Sequence, residues 1–394
     1  VPVAGKMHEF MDRSSWIRKM FENGARLKAE HGSGKVFDFS LGNPKLEPPV
    51  QFQQVVQELV ADRTAGVHGY MPNAGYQETR EAVARTVAQE QDTPVAGDHL
   101  VMTCGAGGGL NVVLKAILDP QDEVVVPTPH FVEYGFYADN HGGVLRHAET
   151  TEDFDLDVEA IEATVTPKTR AVLINSPNNP TGRVYGAETL RSLGVMLEAK
   201  QKEIGRTIYL ISDEPYRKIV YGGVEVPPVM AFYSNTLVVS SYSKDLSLAG
   251  ERIGYVAAHP GVDGIDKLMG ALILANRILG FVNAPALMQR AVARLQGVSV
   301  DISPYEENRD LLYGTLTEAG FSVPEPEGAF YLFPKSPIQD DAAFARELQD
   351  RLVLVVPGSG FMGPGHVRIS YCVSRQTVEG ALPIFREIGE RYFG

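Results

Sequence analysis

Between Leu100 and His259 short runs of Val, Ile and Leu alternate with longer segments whose apolar residues recur at helical spacing. That alternation is the pattern of strand–helix–strand units. The expected strands are 100–103, 123–126, 144–147, 171–175, 208–212, 237–240 and 253–257. Several are almost continuously apolar, as strands covered by helices on both faces are. The pattern predicts an α/β fold, a mostly parallel open sheet sandwiched by helices, with its ligand site beyond the carboxyl ends of the strands.

Either side of this region the pattern changes. Over 12–31, Trp16, Ile17, Met20, Phe21 and Leu27 recur at near-helical spacing, and Gly32 and Gly34 stop the helix. The Gly/Pro-rich stretch from Leu41-Gly42-Asn43-Pro44 to Pro48-Pro49 reads as an ordered loop, a kind that often lines sites. After His259 come expected helices over 262–277, 285–295 and 305–319. Short strands over 330–333, 353–356 and 367–370 follow, then a closing helix over 375–391, which together read as a smaller α+β unit. There is no internal repeat or low-complexity tract, and Val1–Lys6 is set aside as a ragged terminus.

Composition narrows the partners. The 394 residues suit two to three domains at ~100–200 residues each. With 44% apolar and 22% charged residues the chain is of ordinary globular make-up. The 36 Lys and Arg against 49 Asp and Glu leave a net charge of −13, which weighs against nucleic acid or an anionic membrane as partner. No apolar signal-peptide core or window of ~20 apolar residues is present. Cys104 and Cys372 are too few for a disulfide framework and fit no metal spacing, so no metal is expected and a reducing cytoplasm is the default.

Four of the expected strands end in loops that carry chemistry. Strand 100–103 runs into Cys104-Gly105-Ala106-Gly107-Gly108-Gly109 and a helix from Leu110. Bare backbone N–H groups at a helix start hold a phosphate, although glycines there equally permit close helix–sheet packing. The sequence is neither a P-loop nor a dinucleotide fingerprint. Strand 171–175 ends in Ser176-Pro177-Asn178-Asn179-Pro180-Thr181-Gly182, which offers neutral amides or an ordinary turn. Strand 208–212 delivers Asp213-Glu214-Pro215-Tyr216, and a carboxylate buried there needs a cation. Strand 237–240 leads to Ser241-Tyr242-Ser243-Lys244, followed by Gly250, Arg252 and Gly254. The hydroxyls and guanidinium make an anion site, while nearby charge and desolvation keep the amine nucleophilic. A phosphate cradle, an amide, an acid and an amine are the contacts that pyridoxal 5′-phosphate requires.

Ser241-x-Ser243-Lys244 with Gly250-x-Arg252-x-Gly254, Asn178-Asn179-Pro180-Thr181-Gly182 and Asp213-Glu214-Pro215-Tyr216 resemble the signatures of class I/II aminotransferases, the aspartate-aminotransferase-like fold type I enzymes. Their order and spacing match from about Phe39 to Tyr371. The resemblance implies a large cofactor domain over 46–300 and a small α+β domain formed by 7–45 with 301–394. It implies that Lys244 holds the cofactor covalently and later shuttles the substrate Cα proton, and that Asp213 pairs with the pyridine nitrogen. Tyr216 and Asn179 would bond the ring 3-oxygen, and Phe131, in Thr128-Pro129-His130-Phe131, would stack on the ring. Gly105, Ala106, Gly107, Ser241, Ser243 and Arg252 would surround the phosphate. Arg368 would fork the substrate α-carboxylate, Gly42 would lie over the substrate, and Tyr70 would reach the phosphate bound in a partner subunit. The implied protein is a homodimer with shared sites acting on amino acids and 2-oxo acids in a ping-pong reaction.

The phosphate loop departs from many relatives in having Ala106-Gly107 where a hydroxyl or lysine often stands, and Phe131 replaces Trp or Tyr. A lyase or decarboxylase on the same scaffold, or a non-catalytic cofactor-sensing domain, are the alternatives. No basic helix-turn-helix pattern precedes Arg13, which weighs against the last. Arg277, ahead of Asn283-Ala284-Pro285, nearly matches an arginine that the partner subunit contributes to bind a distal carboxylate in dicarboxylate-specific relatives. It is one residue out of step, and equally suits a helix end.

Overall fold

The computed structural model describes residues 2–13 and 15–394, with side chains outside 12–22. A helix runs over Gly5–Arg13 and another over Ser15–His31, so the terminal stretch set aside on sequence enters a helix at Gly5. The side chains of Trp16, Ile17, Met20 and Phe21, which motivated the expected first helix, lie outside the described ones.

Seven strands form one sheet in the order Leu100–Thr103, Gly254–Ala258, Thr236–Ser241, Tyr209–Asp213, Thr169–Asn175, Glu123–Thr128 and Val144–Glu149. Only Gly254–Ala258 runs antiparallel to its neighbours. Apolar side chains cover both faces. Leu110, Val113, Leu268 and Leu272 pack on one, and Leu190, Leu193, Leu197 and Met288 on the other. Pairing sets the strand ends level: Asn175 lies opposite Asp213, while Gly254 lies opposite both Thr103 and Ser241. The four chemistry-bearing loops therefore leave the sheet at one edge.

Two expectations need correction. The helix after the first strand begins at Gly105 rather than Leu110, so the glycines are its first turns. A Cβ on Gly109 would stand 2.8 Å from Val239 Cγ1, and the missing side chain is what lets the helix lie against the sheet. The single strand expected over 353–356 is two. Val353–Leu354 pairs in parallel with Phe37–Asp38, and Val356–Pro357 pairs antiparallel with Val367–Ser370, which continues to Tyr331–Leu332. An unbroken apolar run cannot show where a strand changes partner.

Around these short strands lies a second core of Phe39, Tyr305, Leu312, Phe330, Phe344, Val378 and Phe385. The segment near Phe37 is thus held by the C-terminal third of the chain. Among the described residues no helix is long and apolar enough to cross a membrane, and no group of side chains is arranged to hold a metal ion.

Candidate active site

A cleft of about 340 Å³ opens at the carboxyl edge of the sheet and is closed on its far side by Tyr331, Phe361 and Arg368. Its wall carries Gly42, Ala106, Gly107, Phe131, Asn179, Asp213, Tyr216, Ser241, Ser243, Lys244, Arg252 and Arg368. Gly105 lies beside it with φ +72°, and a Cβ there would stand 2.9 Å from the Arg252 guanidinium. Gly254 brings the two loops together, since a Cβ on it would meet Ser240 O at 2.5 Å and Gly105 C at 2.8 Å. The result is a helix start with bare N–H groups and a guanidinium above it, an arrangement that holds a dianion.

Asp213 ends its strand inside the protein. Its Oδ2 accepts a 2.6 Å hydrogen bond from the Tyr134 hydroxyl, and its Oδ1 is buried with no partner. Burial raises the carboxyl to about 7 against the pull of Tyr134, and the neighbouring Glu214 charge raises it too. Lys244 donates to Gly42 O at 2.9 Å and lies over the rings of Phe330 and Tyr216 at 5.3 and 5.7 Å. Enclosure lowers its ammonium to about 8; Arg368 and Arg252 add to the fall, and Cys372 opposes it. A lysine in this setting spends far more of its time as the free amine than one in water.

Arg368 is fixed from two directions. Its NH1 donates to Asn179 Oδ1 at 3.0 Å and its NH2 to Ser40 O at 2.8 Å, while Nε has no partner. Its guanidinium lies 4.4 Å from the Phe361 ring centre and 4.6 Å from that of Tyr331. Asn179 is itself set by Asn175, whose Oδ1 accepts the Asn179 N–H at 2.7 Å and whose Nδ2 donates to Asp213 O at 2.8 Å. Phe131 meets Tyr134 edge-on at 5.5 Å.

Tyr70 and Arg277 are not brought into this cleft. Tyr70 is 91% exposed, and Arg277 is exposed near the end of the helix Ile265–Ile278. The nearest obstacle to a side chain at Gly42 is the Tyr331 hydroxyl.

Several residues here were not foreseen. Tyr331 bonds the Tyr216 hydroxyl at 2.9 Å from 115 positions away, a distance no local motif reveals. Tyr134 lies three residues after Phe131, one helical turn on, and that spacing was the available signal. Behind the cleft lies a buried ionic cluster. Glu214 pairs with Arg217 at 2.9 Å and accepts from Gln91 at 2.9 Å and Ser212 at 2.8 Å; Asp245 pairs with Lys218 at 3.3 Å. Glu214 and Asp245 each directly follow a residue of the cleft wall in the chain.

Residues 34–384 match the family model of aminotransferase class I and II. The chain is 34% identical to the aspartate/prephenate aminotransferase of Thermus thermophilus, over 93% of this chain and 94% of that one. It is 31% identical to the probable aspartate aminotransferase of Methanocaldococcus jannaschii, over 90% and 93%. Among solved structures, an amino transferase from Eubacterium rectale superposes with a TM-score of 0.96 at 42% identity, covering 100% of both chains. The Thermus thermophilus aspartate aminotransferase with maleate does so at 0.84 and 30% identity, covering 95% and 96%.

Proposed function

The chain belongs to the class I and II aminotransferases, and from that membership we propose that it moves an amino group between an L-amino acid and a 2-oxo acid in two half-reactions, with pyridoxal 5′-phosphate held in the cleft. The observation that carries this reading is the buried, unpartnered Oδ1 of Asp213 in the wall that also presents Lys244 and Arg368. An enclosed carboxylate oxygen without a partner is unfavourable, and a protonated ring nitrogen relieves it. The helix start at Gly105, with Arg252 above it, suits the phosphate, and the Lys244 amine suits the carbonyl. The residues therefore fit the cofactor.

When bound, the cofactor accepts the electron pair released as the substrate Cα–H bond breaks. Arg368 holds the α-carboxylate through the donors left over from Asn179 and Ser40, which orients the Cα–H bond. Lys244 Nζ would take the Cα proton and return it, across the substrate nitrogen, to the carbon that was the cofactor's carbonyl, a transfer worth ~10²–10⁴-fold. Asp213 would stay ionised to hold a protonated ring nitrogen, while Tyr134 keeps its other oxygen in place. Tyr216 and Asn179 would hold the ring oxygen, and Phe131 would cover the ring.

A homodimer is part of the same reading. Tyr70 stands free of its own cleft on a segment anchored by Asn73 Nδ2 to Val282 O and Asn283 Nδ2 to Pro72 O, each at 3.0 Å. From there we place it at the phosphate of the partner subunit. The free cysteines Cys104 and Cys372 suit a cytoplasmic enzyme.

Incubation with one amino acid and no acceptor tests the scheme. It is expected to yield oxo acid equal to the number of sites and then stop, with 2-oxoglutarate restoring turnover. Continuous release of ammonia without an acceptor would overturn it in favour of elimination.

A further inference from the structure

The ionisable wall of the cleft comprises, tyrosines aside, Glu133, Asp213, Lys244, Arg252 and Arg368. Given the proposed function, on which this inference rests, four have work: Arg252 lies over the phosphate cradle, Lys244 and Asp213 meet the cofactor, and Arg368 meets the α-carboxylate. Among the described residues of this chain's own part of the wall, the one ionisable group left without work is an anion.

Glu133 opens the helix Glu133–Asn140, and its Oε2 is buried with no hydrogen-bond partner. The same cleft wall carries the apolar side chains of Leu41, Leu110, Val132 and Phe361. A helix start favours an exposed acid, but that preference does not account for enclosing a carboxylate oxygen unpaired. Burial pushes the carboxyl up, while a hydrogen bond from its own backbone N–H and, less, the Arg368 charge act against it.

We infer that Glu133 is a specificity-determining residue that receives the distal group of the amino donor, and that this group is a cationic nitrogen on an apolar stem rather than a carboxylate. The apolar wall takes the methylene stem, as it does for lysine stems within proteins, and Glu133 takes the ammonium. Lysine and ornithine are donors of this type. A distal carboxylate would be repelled by the same group that holds the ammonium.

Calorimetry on the holoenzyme tests this with acids that lack the α-amino group, so that with the carboxylate on Arg368 no amine stands at the cofactor; an unchanged cofactor absorption spectrum checks that none reacts. The probes are γ-aminobutyrate, δ-aminovalerate and ε-aminocaproate, against succinate, glutarate and adipate, with butyrate, valerate and caproate as neutral controls. At the best-fitting length the ω-amino acid is expected to bind tightest and the dicarboxylate weakest. Glu133→Gln is expected to shrink the ratio of their affinities ~10–100-fold and to leave the neutral acid within about threefold. Relative kcat/KM for lysine, norleucine and glutamate should follow the same order. Tighter binding of dicarboxylates by the wild-type protein, or an equal effect of Glu133→Gln on all three classes, would overturn the assignment. Discrimination in binding without turnover of any donor would uphold Glu133 and overturn the aminotransfer reading. Turnover without discrimination would do the reverse.

Discussion

Burial holds the Asp213 carboxyl at about 7 against an ordinary value of 3.8, so the ligand-free protein binds this proton more tightly than its unfolded chain does. Stability from this group is therefore present at low pH and is lost as pH rises through about 7. Asp213→Asn removes that loss. The apoprotein variant is expected to melt at a higher temperature than wild type at about pH 8 and to show no such gain at about pH 4, while losing most cofactor affinity and activity. Paired thermal melts and cofactor titrations check both halves. Lys244 and Asp213 were legible in the sequence because each lies in a short motif directly after an apolar strand. Tyr331 and Glu133 were not, because their place depends on packing between segments distant in the chain and on which way a helix turns.

The strand Tyr209–Asp213 sends Asp213 toward the cleft and Glu214 into the ionic cluster behind it, and the two neighbours of Asp213 act with opposite sign. The Tyr134 hydrogen bond favours the ionised form, so Tyr134→Phe should move the acidic limb of the kcat/KM profile upward by about one pH unit, given ~1.5–3 kcal/mol for a bond to a charge. The Glu214 charge disfavours the ionised form, so Glu214→Gln should move the limb downward. It should also destabilise the protein by roughly 3 kcal/mol, because Arg217 loses a buried partner. Shifts of the same sign would contradict this arrangement. Gly254 is the hinge between the phosphate loop and the lysine loop, and a Cβ there meets backbone on both sides. Gly254→Ala is expected to cost ~1–3 kcal/mol in denaturant unfolding and to weaken cofactor phosphate binding more than a change at exposed Gly250. At this scale the strands of the large sheet were readable from apolar runs. The start of the helix at Gly105 and the split at 353–357 were not, since glycine hides a helix and partner exchange leaves no local mark.

For the whole molecule, the parallel sheet and its loop edge followed from the order of elements, whereas the role proposed for the exposed Tyr70 needs a second subunit. If Tyr70 serves the partner, mixing Lys244→Ala with Tyr70→Ala subunits restores one intact site per heterodimer. Activity should then rise with subunit exchange, and exchange without a rise would place each site within one chain. In the proposed function Lys244 holds the cofactor and yields it to an amino donor. Borohydride reduction of the holoprotein, followed by digestion and peptide mass analysis, measures this directly. A pyridoxyl mass increment is expected on Lys244, and it should disappear when the protein is first incubated with an amino donor. An increment on another lysine, or one on Lys244 that persists whichever donor is supplied, would contradict that role.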